Sequence, residues 1–230
     1  MLMRSLSPRY KSTILSLGLI AATSAILFGI AISIHAYEDV PLHDLTRDPT
    51  AIAEIPFYMG FLSQVGLLFW SAAVATCFFS FAVIPKYRNS IKIRSFLLAT
   101  ALLTMLFGLD DAFLLHETVL PYHMGIPEDI TYIFYGFLSA AYVVKFYRIL
   151  FSTEYLLMIL ALAFLGVSIS LDFFNLGVSP FFEDGAKLMG IMSWLAYLFQ
   201  MGKSMVRKTM LYPSPTAELF NKAMISKNLE

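Results

Sequence analysis

Residues 14–34 read ILSLGLIAATSAILFGIAISI, a run of 21 without a charge. A hydrocarbon core of roughly 30 Å is crossed by about 20 apolar helical residues, so this stretch alone predicts a membrane-spanning helix. Arg4, Arg9 and Lys11 precede it and His35-Ala36 follow it, as in a secretory leader. Its apolar run is longer than the roughly 7–15 residues of a leader, which predicts a retained helix.

Working outward, the rest of the chain repeats the pattern. Of 230 residues, 58% are hydrophobic and 14% charged, with mean hydropathy +0.72; soluble domains carry about 25% charge. This excludes a free cytosolic enzyme, a disulfide-stapled secreted module and a disordered tail. Cys77 is the single cysteine, so no internal disulfide or thiolate cluster forms. Charge-free runs place spans at about 14–35, 56–84, 95–117, 129–150, 155–176 and 181–204. The expected fold is all-α: one polytopic six-transmembrane-helix bundle over 1–212, followed by a cytoplasmic tail over 213–230. All ten prolines fall in loops or at span ends, which lowers the expectation of a transporter with broken helices.

With the N-terminus inside, 14 of the 16 basic residues lie on the cytoplasmic side, leaving only Arg47 and Lys187 outside. The positive-inside rule then predicts N-in, C-in, and the expected location is a bacterial inner membrane. The same topology sends 13 of 16 acids and all four histidines (His35, His43, His116, His123) outward. Acids are weakly governed by insertion rules, so this bias points to a site for cations or protons.

Spans three, five and six are short of the required length unless they include polar residues at their outer ends. Those residues are Asp110, Asp111, His116 and Glu117, then Asp172, then Glu183, Asp184 and Lys187. Ionisable groups at such depth cost roughly 2.5–3.5 kcal/mol each when they face lipid, so they are expected to turn inward and meet. Asp110 and Glu117, seven apart, fall within about 20° on one helical stripe, flanked by Asp111 and His116. Bland alternatives compete at several positions. Glu117 and His116 can simply mark a helix end. Glu183 and Lys187 form an i,i+4 ion pair in the favourable order. Glu128 and Asp129, after Pro127, suit a helix dipole, and that explanation is preferred for them. His35 reads as interfacial, and His43 and His123 as loop residues.

Oxygen and imidazole donors without thiolate suit Mg, Ca, Mn, Fe or Zn. No HExxH, paired Glu-x-x-His, P-loop, GxSxG or CxxC motif occurs. In general layout the chain resembles the multi-span zinc hydrolases of the alkaline ceramidase and adiponectin-receptor superfamily, which gather acids and histidines from several helices at one membrane face. It departs from them in lacking a His-x-x-x-His pair and in showing six spans rather than seven. The first expectation is therefore a metal-dependent hydrolase acting on a lipid or amphipathic substrate at the outward face. Asp110, Asp111, His116 and Asp172 are the expected ligands of a divalent ion. Asp184 or Glu117 is the expected general base, and Lys187 the partner of surplus charge or of an anionic head group. The competing expectations are a cation or proton pathway or ion/pH sensor, and an accessory subunit of a membrane complex. Membrane lipid is the expected partner; nucleic acid is not.

Overall fold

The computed structural model describes residues 8–86, 90–174 and 179–211, with side chains described between Thr13 and Lys208. The tail over 213–230 lies outside the described residues. The described residues are mostly helical, and no strand occurs among them. The chain divides into two compact units, Met1–Met59 and Gly60–Glu230.

The first unit holds α1 (Pro8–Glu38) and the short α2 (Pro49–Ile52). Asp48 caps α2: its carboxylate accepts the Thr50 N–H at 2.8 Å, and Pro49 follows at the first helical position. The Thr50 hydroxyl first, then the Thr50 N–H, hold the Asp48 carboxyl below its usual range. His35 Nδ1 pairs with the Val40 carbonyl at 2.7 Å, so it closes a local turn. His43 lies 3.2 Å from Asp44.

The second unit holds α3 (Phe61–Val83), α4 (Ile91–Phe113), a π-helical turn (Leu115–Val119), α5 (Leu120–Met124), α6 (Glu128–Leu150), α7 (Tyr155–Phe173) and α8 (Pro180–Leu211). Among the described residues, five helices are long and apolar enough to cross a membrane: Thr13–Glu38, Phe61–Val83, Ile91–Phe113, Glu128–Leu150 and Tyr155–Phe173. The sixth expected span falls in α8, whose 32 residues measure about 48 Å. Glu183, Asp184 and Lys187 near one end and Lys203, Arg207 and Lys208 near the other make it more polar, and it is not among the five.

Several boundaries differ from the sequence expectation: α1 starts at Pro8 rather than 14, α4 at Ile91 rather than 95, and α8 runs to Leu211 rather than 204, and two further differences have a local backbone cause. Span two begins at Phe61 rather than 56, because Gly60 adopts a left-handed conformation (φ 69°) that starts the helix afresh. Span three ends at Phe113 rather than 117, because Leu114 is also left-handed (φ 49°).

The second unit is apolar outside as well as inside. Leu68, Phe137 and Val144 are 69%, 71% and 74% exposed, as residues facing acyl chains are. Its core is built where α8 packs against α3 and α7, and α3 against α4. Ile191, Trp194, Tyr197, Leu198 and Met201 of α8 meet Trp70, Ala73 and Cys77 of α3. Two pairs of polar groups bond at this depth, while the buried Trp70 indole N–H has no hydrogen-bond partner. Trp194 Nε1–H donates to Thr104 Oγ1 at 3.1 Å, and the Thr100 and Tyr142 hydroxyls bond at 2.7 Å. Arg94 closes the α3–α4 corner: its guanidinium donates to the Phe81 carbonyl at 2.6 Å and to that of Ile84, and lies 4.1 Å from the Phe81 ring centroid. A cation there also complements the negative end of α3.

Small residues set helix spacing where lipid offers no hydrophobic drive to association. At Gly190 a Cβ falls 2.7 Å from Leu165 Cγ and 3.0 Å from the Leu165 backbone nitrogen, so α7 and α8 must part to admit it. Gly190→Ala is expected to destabilise the bundle by about 1 kcal/mol, read as a lower melting temperature in detergent.

Candidate functional site

At one end of the second unit, α4 finishes, α6 begins, α7 finishes and α8 begins. The local sequence explains how polar side chains gather there. After Phe113, left-handed Leu114 breaks α4, and the chain winds into the π turn with Thr118 and Val119 N–H groups returning to the Leu114 carbonyl. A bulky residue with positive φ is a strained choice, of the kind concentrated at functional sites. Its effect is to fold His116 back onto Asp110, six residues earlier.

Asp110 is 8% exposed and fully engaged. Oδ1 accepts the His116 backbone N–H at 3.0 Å and the Tyr135 hydroxyl at 2.8 Å, while Oδ2 meets His116 Nδ1 at 2.6 Å. An ionised carboxylate can only accept, so the proton of this last bond belongs to Nδ1. In the neutral imidazole, Nε2 is then left with its lone pair. That nitrogen faces Glu128, with Oε1 3.9 Å away. Asp172 completes the group: the Tyr132 hydroxyl donates to Oδ2 at 2.6 Å, and the Tyr132 ring packs against His116 with centroids 5.1 Å apart. One donor atom from each of His116, Glu128 and Asp172 lies within 4.8 Å of the others. Metal–ligand bonds of about 2.0–2.2 Å ask these atoms to draw in by about 1 Å, which partly exposed Glu128 and exposed Asp172 allow. The hydroxyl of Thr131 is buried and has no hydrogen-bond partner. It shares a helical stripe with Glu128, Tyr132 and Tyr135.

The geometry separates two neighbouring acids that the sequence grouped together. Asp111 lies 100° around α4 from Asp110 and joins a different cluster. Its Oδ1 sits 3.4 Å from Lys187 Nζ, and both line a small cavity of about 20 Å³ with Asp184, Ser63 and Gly66. That is room for about one water. Lys187 thus has Asp111 as its ion-pair partner rather than Glu183 one turn away. Glu117 is exposed on the π turn, and His123 packs edge-on against Tyr122 at 5.1 Å. Of the expected ligands, His116 and Asp172 come together, and Asp110 stands behind His116. Glu128, assigned in sequence to the helix dipole, is the third donor. The signal that finds it is the stripe Glu128, Thr131, Tyr132, Tyr135, polar at i, i+3, i+4 and i+7 beside apolar Ile130, Ile133 and Phe134.

Residues 14–201 match the profile of a protein family described as "Domain of unknown function (DUF8692)". The chain belongs to this family. The matched region of this DUF8692 protein contains α3 to α7 entire and both polar clusters. No curated protein and no solved structure matches the chain.

Hydrogen bonding to Asp110 raises the His116 pKa above its ordinary 6.5; burial opposes this, and the charges of Asp110, Glu128 and Asp172 add to the rise. The pair's stabilisation is therefore fully present below the unfolded pKa and is lost as pH rises through the folded value. A ligand on Nε2 has the opposite dependence, because it competes with the proton. Divalent-cation binding to His116 is expected to weaken about tenfold per pH unit below the folded pKa and to level off above it. Titration calorimetry across this range checks both limbs.

Proposed function

We propose that this protein is a multi-pass inner-membrane protein of six spans, with both termini cytoplasmic, that holds a divalent cation at its outward face for hydrolysis of an amphipathic substrate. The observation that carries the reading is the Asp110–His116 bond. A carboxylate that fixes the imidazole tautomer and leaves Nε2 bare beside two further carboxylates is the outer-shell arrangement of metal-binding histidines. His116, Glu128 and Asp172 are the ligands; Asp110 orients His116, and Tyr132 and Tyr135 orient the two aspartates. One histidine and two carboxylates suit Zn, Mn or Fe. A cation bound there supplies Lewis acidity and a water acidified toward neutral pH. Exposed Asp172 and partly exposed Glu128 leave the group open, and the apolar exterior of the bundle gives a substrate with a hydrocarbon part a lateral route to it. In this reading α8 is the sixth span, lined by apolar residues of the core and sealed at its outer end by Lys187 and Asp111.

The test is elemental analysis of the full chain, purified in mild detergent, followed by assay against phospholipid and lipid-amide substrates. One equivalent of Zn, Mn or Fe with metal-dependent turnover is expected. No stoichiometric metal together with cation flux in liposomes turns the reading to a cation pathway. Neither result leaves an accessory subunit.

A further inference from the structure

A cleft of about 390 Å³ separates α4 from α6, two helices that approach each other sparsely. The volume falls within the range of small-molecule sites, about 300–1,000 Å³. Its walls are apolar, from Leu102, Leu106 and Leu138, with Ala99 and Ala141 giving it width; Lys145 is the single charge among its lining residues. One end is roofed. There the Tyr135 ring stands edge-on to Phe107 with centroids 5.6 Å apart, and its hydroxyl is tied to Asp110. The back wall is fixed by the buried Thr100–Tyr142 bond.

The other end belongs to Lys145. It is exposed, makes no ion pair among the described residues, and rests its ammonium 5.4 Å from the Phe146 ring centroid. Along α6 the lining runs from Leu138 to Phe146, about 12 Å at 1.5 Å per residue. That is close to the roughly 15 Å depth of one leaflet. An occupant must therefore be a hydrocarbon chain with its polar end at Lys145, and an unpaired cation there selects a head group of net negative charge. We propose that the cleft between α4 and α6 binds one acyl chain of an anionic phospholipid whose phosphate is held by Lys145. This rests on the membrane reading but not on the cation site, which lies past the Tyr135–Phe107 contact along the helices.

Native mass spectrometry of the full chain, exchanged into detergent with equal phosphatidylglycerol and phosphatidylcholine, tests it. The wild type is expected to retain phosphatidylglycerol about fivefold over phosphatidylcholine, the preference of one basic residue near a head group. Lys145→Gln abolishes the preference without changing the melting temperature. Ala141→Phe fills the cleft and loses both lipids. Metal content stays at the wild-type level in both variants, so failure here and failure of the cation site are separable. Equal retention by the wild type, an unchanged preference in Lys145→Gln, or undiminished retention in Ala141→Phe overturns the proposal. So does displacement of the lipid by inorganic phosphate, or a wild-type dimer that Ala141→Phe breaks, which puts a second copy in the cleft.

Discussion

Changing His116 to alanine empties the proposed cation site, and changing Asp110 to asparagine weakens it about 10–100-fold without touching a ligand. The two variants differ in mechanism. His116→Ala removes the only nitrogen donor of the group, leaving two carboxylates on separate helices. Asp110→Asn keeps the size of the side chain but presents an amide N–H₂ toward His116 Nδ1. To accept that bond the imidazole moves its proton to Nε2, where it blocks the ligand position facing Glu128. The Tyr135 hydroxyl and the His116 N–H can still find the amide oxygen, so the helix break at Leu114 is expected to survive. Calorimetric affinities for Zn and Mn, with circular dichroism to check helicity, read both effects. Wild-type affinity in Asp110→Asn sinks the tautomer argument, and wild-type affinity in His116→Ala sinks the site.

Lys187→Met is expected to lower stability by about 2 kcal/mol while leaving cation affinity unchanged. Removing one partner of a buried ion pair typically costs roughly 3–5 kcal/mol because the other charge is stranded. Here the Lys187 side chain is 36% exposed and that of Asp111 15%, so solvent screening reduces the figure. In a chain of this size that corresponds to a fall of about 4–8 °C in melting temperature. Adding Asp111→Asn to Lys187→Met removes the stranded charge and restores most of the loss. A Lys187→Met protein of normal stability that loses hydrolysis would instead return Lys187 to the substrate-contacting role expected from sequence.

The membrane character and helical class were legible because they rest on run length and charge, which are one-dimensional. That alternating spans bring the C-terminal ends of α4 and α7 to one face was also legible, but one meeting point for spans three, five and six was expected and two clusters occur, with Asp184 and Lys187 beside Asp111. Partner choice was not. Asp110 and Asp111 are indistinguishable in a list of residues, yet 100° of helix rotation sends one to His116 and the other to Lys187. The left-handed turn at Leu114 carries no sequence marker, because leucine is an unusual residue for it, and without that turn His116 continues α4 instead of folding back. Glu128 was hidden for a different reason. A helix N-terminus accounts for an acid there so well that nothing in the sequence favours its second position, facing His116 from the start of α6.

The sparse packing of α6 has a mechanical consequence. At its first turns this helix is fastened to α4 and α7 by Tyr135 on Asp110 and Tyr132 on Asp172, with the same rings set edge-on to Phe107 and Phe173. Its attachment at this end therefore rests on two phenolic hydroxyls: losing either, as in Tyr135→Phe or Tyr132→Phe, slackens the start of α6 while the deep core stays closed.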